Sequence, residues 1–334
     1  MTVRDDEAVL AARYETLMHR AEAAGDVSGL ETLQADAERE LGPTHRIVFL
    51  VECGIEDIRS QTRPVLHSVQ VWNRLSERAA AVLSPDDPTL MTIEGFKARH
   101  GRRRGRPEDL DAGVEAYRRN WLRRREGLGE DHYRTRTMHA NLAVALRERD
   151  GEGDLDEALG ILREEIAHRT ERYGELHPFT WIARLVMAQT LVRAAEKAVR
   201  PDERHRYAWE AARVAELLIG RRRFRFGVAD LSTLRAHLVH AHALLMLGRA
   251  DEAIPEIRHV RARAMLTRVP LEPGWPEWLL ARAHTAAGEV AEALRWAERS
   301  HLQRAAYFPR GGRKGAETRR LLAELKEAAP DSTS

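Results

Sequence analysis

The chain has 334 residues, with 54 basic and 52 acidic side chains and a formal charge of +2. That near balance argues against a protein dedicated to the phosphate backbone. The single cysteine, Cys53, excludes an internal disulfide framework and a cysteine-based zinc site.

Charged residues reach 32% and aromatics only 6%, so any core is built from aliphatics and alanine. Residues 1–7 carry Arg4, Asp5, Asp6 and Glu7 without an apolar run, unlike a signal peptide. No stretch approaches the roughly 18 apolar residues of a membrane helix, and a soluble cytoplasmic protein is expected. The hydrophobic period is helical, with no sustained two-residue alternation.

Helix pairs are expected over 5–40 and 44–82. Between them stands LGPTHRIV (41–48), the first copy of a recurring motif. It returns as LSPDDPTL (83–90), LGEDHYRT (128–135), YGELHPFT (173–180) and FGVADLST (226–233), and more weakly as LEPGWPEW (271–278), with starts 42 to 53 residues apart. Such a period marks a repeat architecture.

The third pair is expected over 88–127. Its turn, GRRRGRPEDLDAG (101–113), resembles an AT-hook through Arg104-Gly105-Arg106-Pro107. The register assigns it differently, because Asp109-Leu110-Asp111 aligns with Asp154-Leu155-Asp156. It reads as an exposed basic turn, with Pro107 at the start of the second helix and Glu108 and Asp109 at its positive end.

The fourth pair, 134–172, carries the apolar stripe Leu155, Ala158, Leu159, Leu162 and Ile166. Asp154 reads as its N-cap, with Glu157 completing a capping box. Glu164 and Glu165 read as solvated. The fifth pair, 179–222, absorbs extra residues around 200–206, with Pro201-Asp202 as a helix start.

The sixth pair, 231–268, bears His237, His240 and His242. No acidic or cysteine ligand accompanies them in sequence, so packed or groove-facing histidines are expected and no metal. The seventh pair spans 275–306, and a last helix at 315–329 caps the apolar end. A second motif, in GDLDEALGIL (153–162), GRADEAIPEI (248–257) and GEVAEALRWA (288–297), places Ala158, Ala253 and Ala293 at one offset after a turn glycine.

These marks resemble those of tetratricopeptide repeat (TPR) proteins, through the small-residue series Ala143, Gly248, Ala253, Gly288 and Ala293, which permits close helix approach. The long unit resembles the kinesin-light-chain type, where an L-G-x-x-H-P-x-T loop precedes the first helix. YGELHPFT, Asn141-Leu142-Ala143 and Pro255 carry that likeness. The resemblance implies an all-α, right-handed superhelical α-solenoid of about seven antiparallel helix pairs plus a C-terminal capping helix. Residues 1–82 would be degenerate N-terminal pairs, 83–306 the TPR array, and 307–334 the capping helix and a disordered tail. Only four basic residues are lysines (Lys97, Lys197, Lys314 and Lys326), a bias expected of a GC-rich, bacterial genome.

No G-x-S-x-G, H-E-x-x-H, Walker A or dinucleotide glycine motif is present, and the Gly- and Arg-bearing 309–317 stretch follows no strand. No catalytic residue, metal or cofactor is expected. The resemblance implies protein or peptide binding on a concave face built from the first helices. Taking Ala98, Ala143, Ala188, Ala241 and Ala281 as the shared small position brings Arg99, Arg147, Gln189, Arg193, His242 and Arg282 to that face. Asn141 and Arg235 belong to the same candidate groove. Arginine forks suit carboxylates, so an extended acidic peptide or a partner's C-terminal carboxylate is the expected ligand.

Of the seven tryptophans, Trp275 and Trp278 are candidates for lining a pocket, while most of Trp72, Trp121, Trp181, Trp209 and Trp296 are expected in inter-repeat packing. The leading expectation is a non-catalytic cytoplasmic adaptor or peptide-responsive regulator. The alternatives are nucleic-acid binding through the arginine runs at 102–106, 123–125 and 221–225, and an enzyme with a novel site in the groove. An unfinished end repeat could also pair with a second copy.

Overall fold

The recurring loop motif works by capping. Its fifth residue accepts a hydrogen bond from a free amide at the start of the next helix. His45 Nδ1 accepts from Ile47 N at 3.3 Å, Asp87 from Thr89 N at 2.7 Å and His132 Nδ1 from Arg134 N at 3.2 Å. His177 Nδ1 accepts from Phe179 N at 3.2 Å, and Asp230 from Thr233 N at 2.9 Å. The glycine of the motif ends the preceding helix: Gly42, Gly129 and Gly174 have φ of 87°, 87° and 88°, which a side chain would disfavour. A further tie recurs 45 residues apart. Thr135 Oγ1 donates to Arg124 O and Thr180 Oγ1 to Arg169 O, each at 3.2 Å.

The computed structural model describes residues 3–24, 26–60, 63–226, 230–269, 271–308 and 312–328, which hold fifteen α-helices and no strand. The chain divides into two compact units, Met1–Met138 and His139–Ser334. The first contains α1 (Val3–Ala24), α2 (Ser28–Leu41), α3 (Arg46–Arg59), α4 (Val65–Ala80), α5 (Pro88–Arg102) and α6 (Pro107–Leu128). The division falls in α7 (Tyr133–Arg149). The second unit continues with α8 (Asp154–Tyr173), α9 (Pro178–Lys197), α10 (Pro201–Phe226), α11 (Leu231–Met246), α12 (Ala250–Thr267), α13 (Trp275–Ala286), α14 (Val290–Tyr307) and α15 (Arg313–Ala328). These bounds follow the expected pairs to within a few residues. The expected tail beyond 329 lies outside the described residues, as do 329 itself, 227–229 in the fifth motif copy and 309–311.

Within each unit, helices pack on their neighbours in sequence. Successive first helices also touch, α1 with α3 and α3 with α5 in one unit, α9 with α11 and α11 with α13 in the other. The core of the first unit gathers Leu30, Leu33, Val51 and Ile55 in one cluster and Phe49, Trp72, Leu75 and Ile93 in another. The second unit centres on Leu238, Ile257, Val260 and Leu279. The shared small residues Ala143, Ala188, Ala241 and Ala281 are fully buried, as are Ala158, Ala253 and Ala293. Alanine is needed there because larger side chains would hold the helices apart.

Several expectations need correction. Gly248 and Gly288 do not serve close helix approach. Both sit in turns at φ 75° and 76° with open space where a Cβ would be. Asp154 does not cap α8, whose N-cap is Gly153 in the left-handed region. Its buried carboxylate instead binds Arg149 through two bonds (2.8 and 2.6 Å) and accepts from Gly151 N at 2.8 Å, bracing the turn. Glu165 is not solvated but fully buried, 3.3 Å from His139 Nδ1 and bonded by Arg169 Nε at 3.2 Å. Trp72 and Trp181 are core residues, but Trp209 is exposed. Among the described residues no helix is long and apolar enough to cross a membrane.

Of the 101–113 segment only residues 103–106 form the turn, with α5 ending at Arg102 and Pro107 at the start of α6. It is less exposed than expected. Arg102 is buried with its guanidinium over the Tyr117 ring, and Arg103 donates to Ser60 O at 3.1 Å. Arg104 pairs with Asp109, as Arg149 does with Asp154 one repeat later. Arg106 alone of the run is exposed.

Candidate binding cavity

The first helices of the second unit bring their inner faces around a cavity of about 170 Å³. The last turn of α7 contributes Arg147 and Glu148. Gln189, Arg193 and Glu196 come from α9, His242 from α11, and Trp275 and Trp278 from the start of α13. Arg304 of α14 and Arg313, Lys314 and Glu317 of α15 complete the wall, with Glu272 from the loop before α13.

Glu196 organises the polar side. Its carboxylate receives Arg193 at 2.9 Å, Arg282 Nη1 at 2.5 Å and His242 Nε2 at 3.0 Å. Burial opposes ionisation of this carboxyl, but His242, Arg282 and Arg193 outweigh it and hold its pKa far below the ordinary carboxylate range. Arg282 Nη1 also stands 2.7 Å from His242 Nε2, so that ring nitrogen lies between a guanidinium and a carboxylate. Burial lowers the His242 pKa; Glu196 opposes this and Arg282 adds to it.

Arg193 further binds Asp150 at 2.6 Å, and Lys197 lies 3.0 Å from the same oxygen. Burial disfavours the Arg193 cation, yet Asp150 and Glu196 raise its pKa overall. Arg147 donates to Gln189 Oε1 at 2.7 Å.

The aromatic side is cationic too. The Trp278 ring lies under the guanidinium of Arg282 at 4.7 Å and that of Arg304 at 5.2 Å, with the His242 ring edge-on at 5.4 Å. Arg304 is almost wholly buried and donates to Lys314 O at 3.1 Å and Thr318 Oγ1 at 2.8 Å. Burial pushes its pKa down. Glu272 is disfavoured as an anion by burial, but Lys314 and Arg304 hold it ionised.

No protein-family model matches the chain, and no curated protein does. Two crystal structures of nearly identical TPR-like repeats, described as a putative kinesin light chain of Podosopora anserina, are each 15% identical. Each match covers 74% of this chain and 98% of that one, with TM-scores of 0.45 and 0.43. The crystal structure of BtubC (BKLC) from P. vanneervenii is 14% identical over 76% of this chain and 94% of its own, with a TM-score of 0.47. What decides the class is the packing: sequential helix pairs with successive first helices in contact.

The fold is TPR-like.

On this TPR-like frame, Arg147, Gln189, Arg193, His242, Trp275 and Trp278 meet at one cavity, with Arg282 bonded just behind its wall. Asn141 and Arg235 are not among the lining residues. Arg99 belongs to the first unit, where it faces Asp57 at 3.4 Å. The predicted basic ladder is met by acids of the same chain, because five lining cations stand among four carboxylates. Glu148, Glu196, Glu272, Glu317, Arg304, Arg313 and Lys314 escaped the sequence reading, since none occupies the ladder register.

The histidine cluster also differs from expectation. Glu256 of α12 does accompany it, 2.6 Å from His237 Nδ1 and 2.8 Å from His240 Nδ1. Among the described residues no group of three or more His, Cys, Asp or Glu could hold a metal. The arginine run at 123–125 is drawn into the structure. Arg123 reaches Pro85 O at 3.3 Å, and buried Arg124 donates to Asn120 at 2.7 Å, its pKa lowered to about 10 by burial. Arg125 covers the Trp121 ring. The side chains of 222–225 lie outside the described residues.

Proposed function

We propose that the chain is a non-catalytic adaptor or regulatory protein of the cytoplasm that binds a protein partner through the inner face of its second unit. The ligand is the carboxylate-bearing end of an acidic segment. Supporting this is the meeting of Trp275 and Trp278 with Arg147, Arg193 and Lys314 around one cavity. Trp rings offer an apolar platform, and arginine forks match a carboxylate in shape as well as charge. At about 170 Å³ the cavity is smaller than the roughly 300–1,000 Å³ of small-molecule sites. It suits one terminal residue better than a long peptide laid flat.

The test is titration of acidic peptides with free and with amidated C-termini, followed by tryptophan fluorescence. The free acid should bind more tightly. Reversing charge with Arg147→Glu and Arg193→Glu should abolish the difference. Unchanged affinity in the folded double variant would remove this reading.

A further inference from the structure

α15 has two parts. Leu321, Leu322 and Leu325 cover Ala281, Ala293 and Ala297, as a cap on an apolar end should. The first turn does something a cap does not need. Arg313 Nη1 donates to Glu148 O at 2.9 Å, joining residues 165 apart, and stands 4.0 Å from Asp150. One turn on, Glu317 lies 3.6 Å from Arg193 and 3.6 Å from Arg313, at the cavity wall.

The partners of Arg193 are not equal. Asp150 and Glu196 hold it at 2.6 and 2.9 Å, within hydrogen-bond range, whereas Glu317 is a looser third. The Glu317 side chain keeps 31% of its exposure, against 6% for Asp150 and 15% for Glu196. It is therefore the carboxylate most easily exchanged. Its withdrawal leaves α15 anchored by its leucines and by the bonds from Arg304 to Lys314 O and Thr318 Oγ1.

We infer that Glu317 occupies the carboxylate position of the cavity, and that a ligand binds by replacing it between Arg193 and Arg313. This rests on the reading of the cavity as a carboxylate site. The C-terminal helix then sets the affinity of the groove as well as closing the array, because every acidic ligand competes with a carboxylate already in place.

The experiment compares the full chain with Glu317→Gln, using N-acetyl-tetraglutamate with a free C-terminus as probe and tryptophan fluorescence as readout. Loss of one partly exposed competing ion pair should tighten binding about fivefold. Glu317→Ala carries the same expectation and guards against a new hydrogen bond from the glutamine. Thermal melting checks that each variant is folded. Binding by the parent chain with equal or weaker binding by both variants overturns the inference and leaves the cavity reading standing. No binding by the parent or by either variant overturns both. Binding only after Glu317 is replaced supports the inference in its strongest form.

Discussion

Arg99 and Arg282 occupy the same register position, one residue after the small alanine of a first helix, yet they meet different surroundings. In the first unit Arg99 lies over the Phe96 ring, 3.4 Å from Asp57, and its side chain is half-exposed. In the second, Arg282 shares Glu196 with Arg193 and His242 and stacks on Trp278. The same residue type thus makes a local tie in one place and supports a cavity-lining carboxylate in the other. The deciding group is a carboxylate at the end of α9 that gathers side chains from three helices. An arginine ladder becomes a site only where such an acid draws it together.

The largest effect expected from a substitution is on the packing of the first unit. Trp72 is fully buried, stacks on Phe96 and His100, and donates to Ser60 Oγ at 3.2 Å. Trp72→Ala should cost about 3–5 kcal/mol in urea unfolding. Trp278→Ala, only half-buried, should cost less stability and instead remove the fluorescence response to acidic peptides. Equal losses of stability would erase the contrast between the two regions.

Next comes Glu196→Gln, which leaves Arg282 and Arg193 without their shared anion. Breaking such a buried group should cost about 3 kcal/mol.

Acid titration separates the regions more finely. Burial lowers the His100 pKa, with Asp57 opposing and Arg99 and Arg103 adding to the shift; His242 is lowered too. Each folded ring binds its proton less readily than the unfolded chain does. Stability should therefore fall in both units as pH drops below about 6.5. The carboxyl of Glu196 is depressed, so its contribution is complete above about pH 4.3 and is lost only below that. Glu196 should add its own acid-dependent loss to the second unit, and Glu196→Gln should remove that part. Stability measured against pH with and without that substitution decides the matter.

The smallest effects concern the turns. Arg104→Ala and Arg149→Ala leave Asp109 and Asp154 buried without their main partner, and each should cost about 2 kcal/mol. Arg106→Ala, at the exposed position, should change stability by less than about 0.5 kcal/mol. Thermal unfolding of the three variants would show whether the arginine run is structural, as the bonds indicate.

Local chemistry made most of the fold legible. The recurring loop motif announces itself by spacing alone, while the capping role of its fifth residue, at His45, Asp87, His132, His177 and Asp230, shows only in the bonds. Buried alanines show through for the same reason, since neighbouring turns fix which face they occupy. The turn carboxylate Asp154 misled because its pattern also fits a capping box, and only the bonds from Arg149 and Gly151 reveal its use. Glu165 misled because its burial depends on His139 from another helix. In the cavity, the ladder register finds Arg193 and His242 but not the acids that hold them. Glu196 lies in the last turn of α9, Asp150 in a turn and Glu317 in the final helix, and no single period links the three.

The bond from Arg313 to Glu148 O has a consequence for how the second unit comes apart. A row of helices that touch only their neighbours can fray from either end. The bond between residues 165 apart ties the start of α15 back to the end of α7, so these two parts of the row restrain one another. The bond itself is worth only about 1 kcal/mol, and it acts together with the neighbouring contacts of Arg313 with Asp150 and of Glu317 with Arg193. Hydrogen exchange along α9, α11 and α13 should then be faster in Arg313→Ala than in the parent chain, because the substitution loosens the tie between α15 and the end of α7.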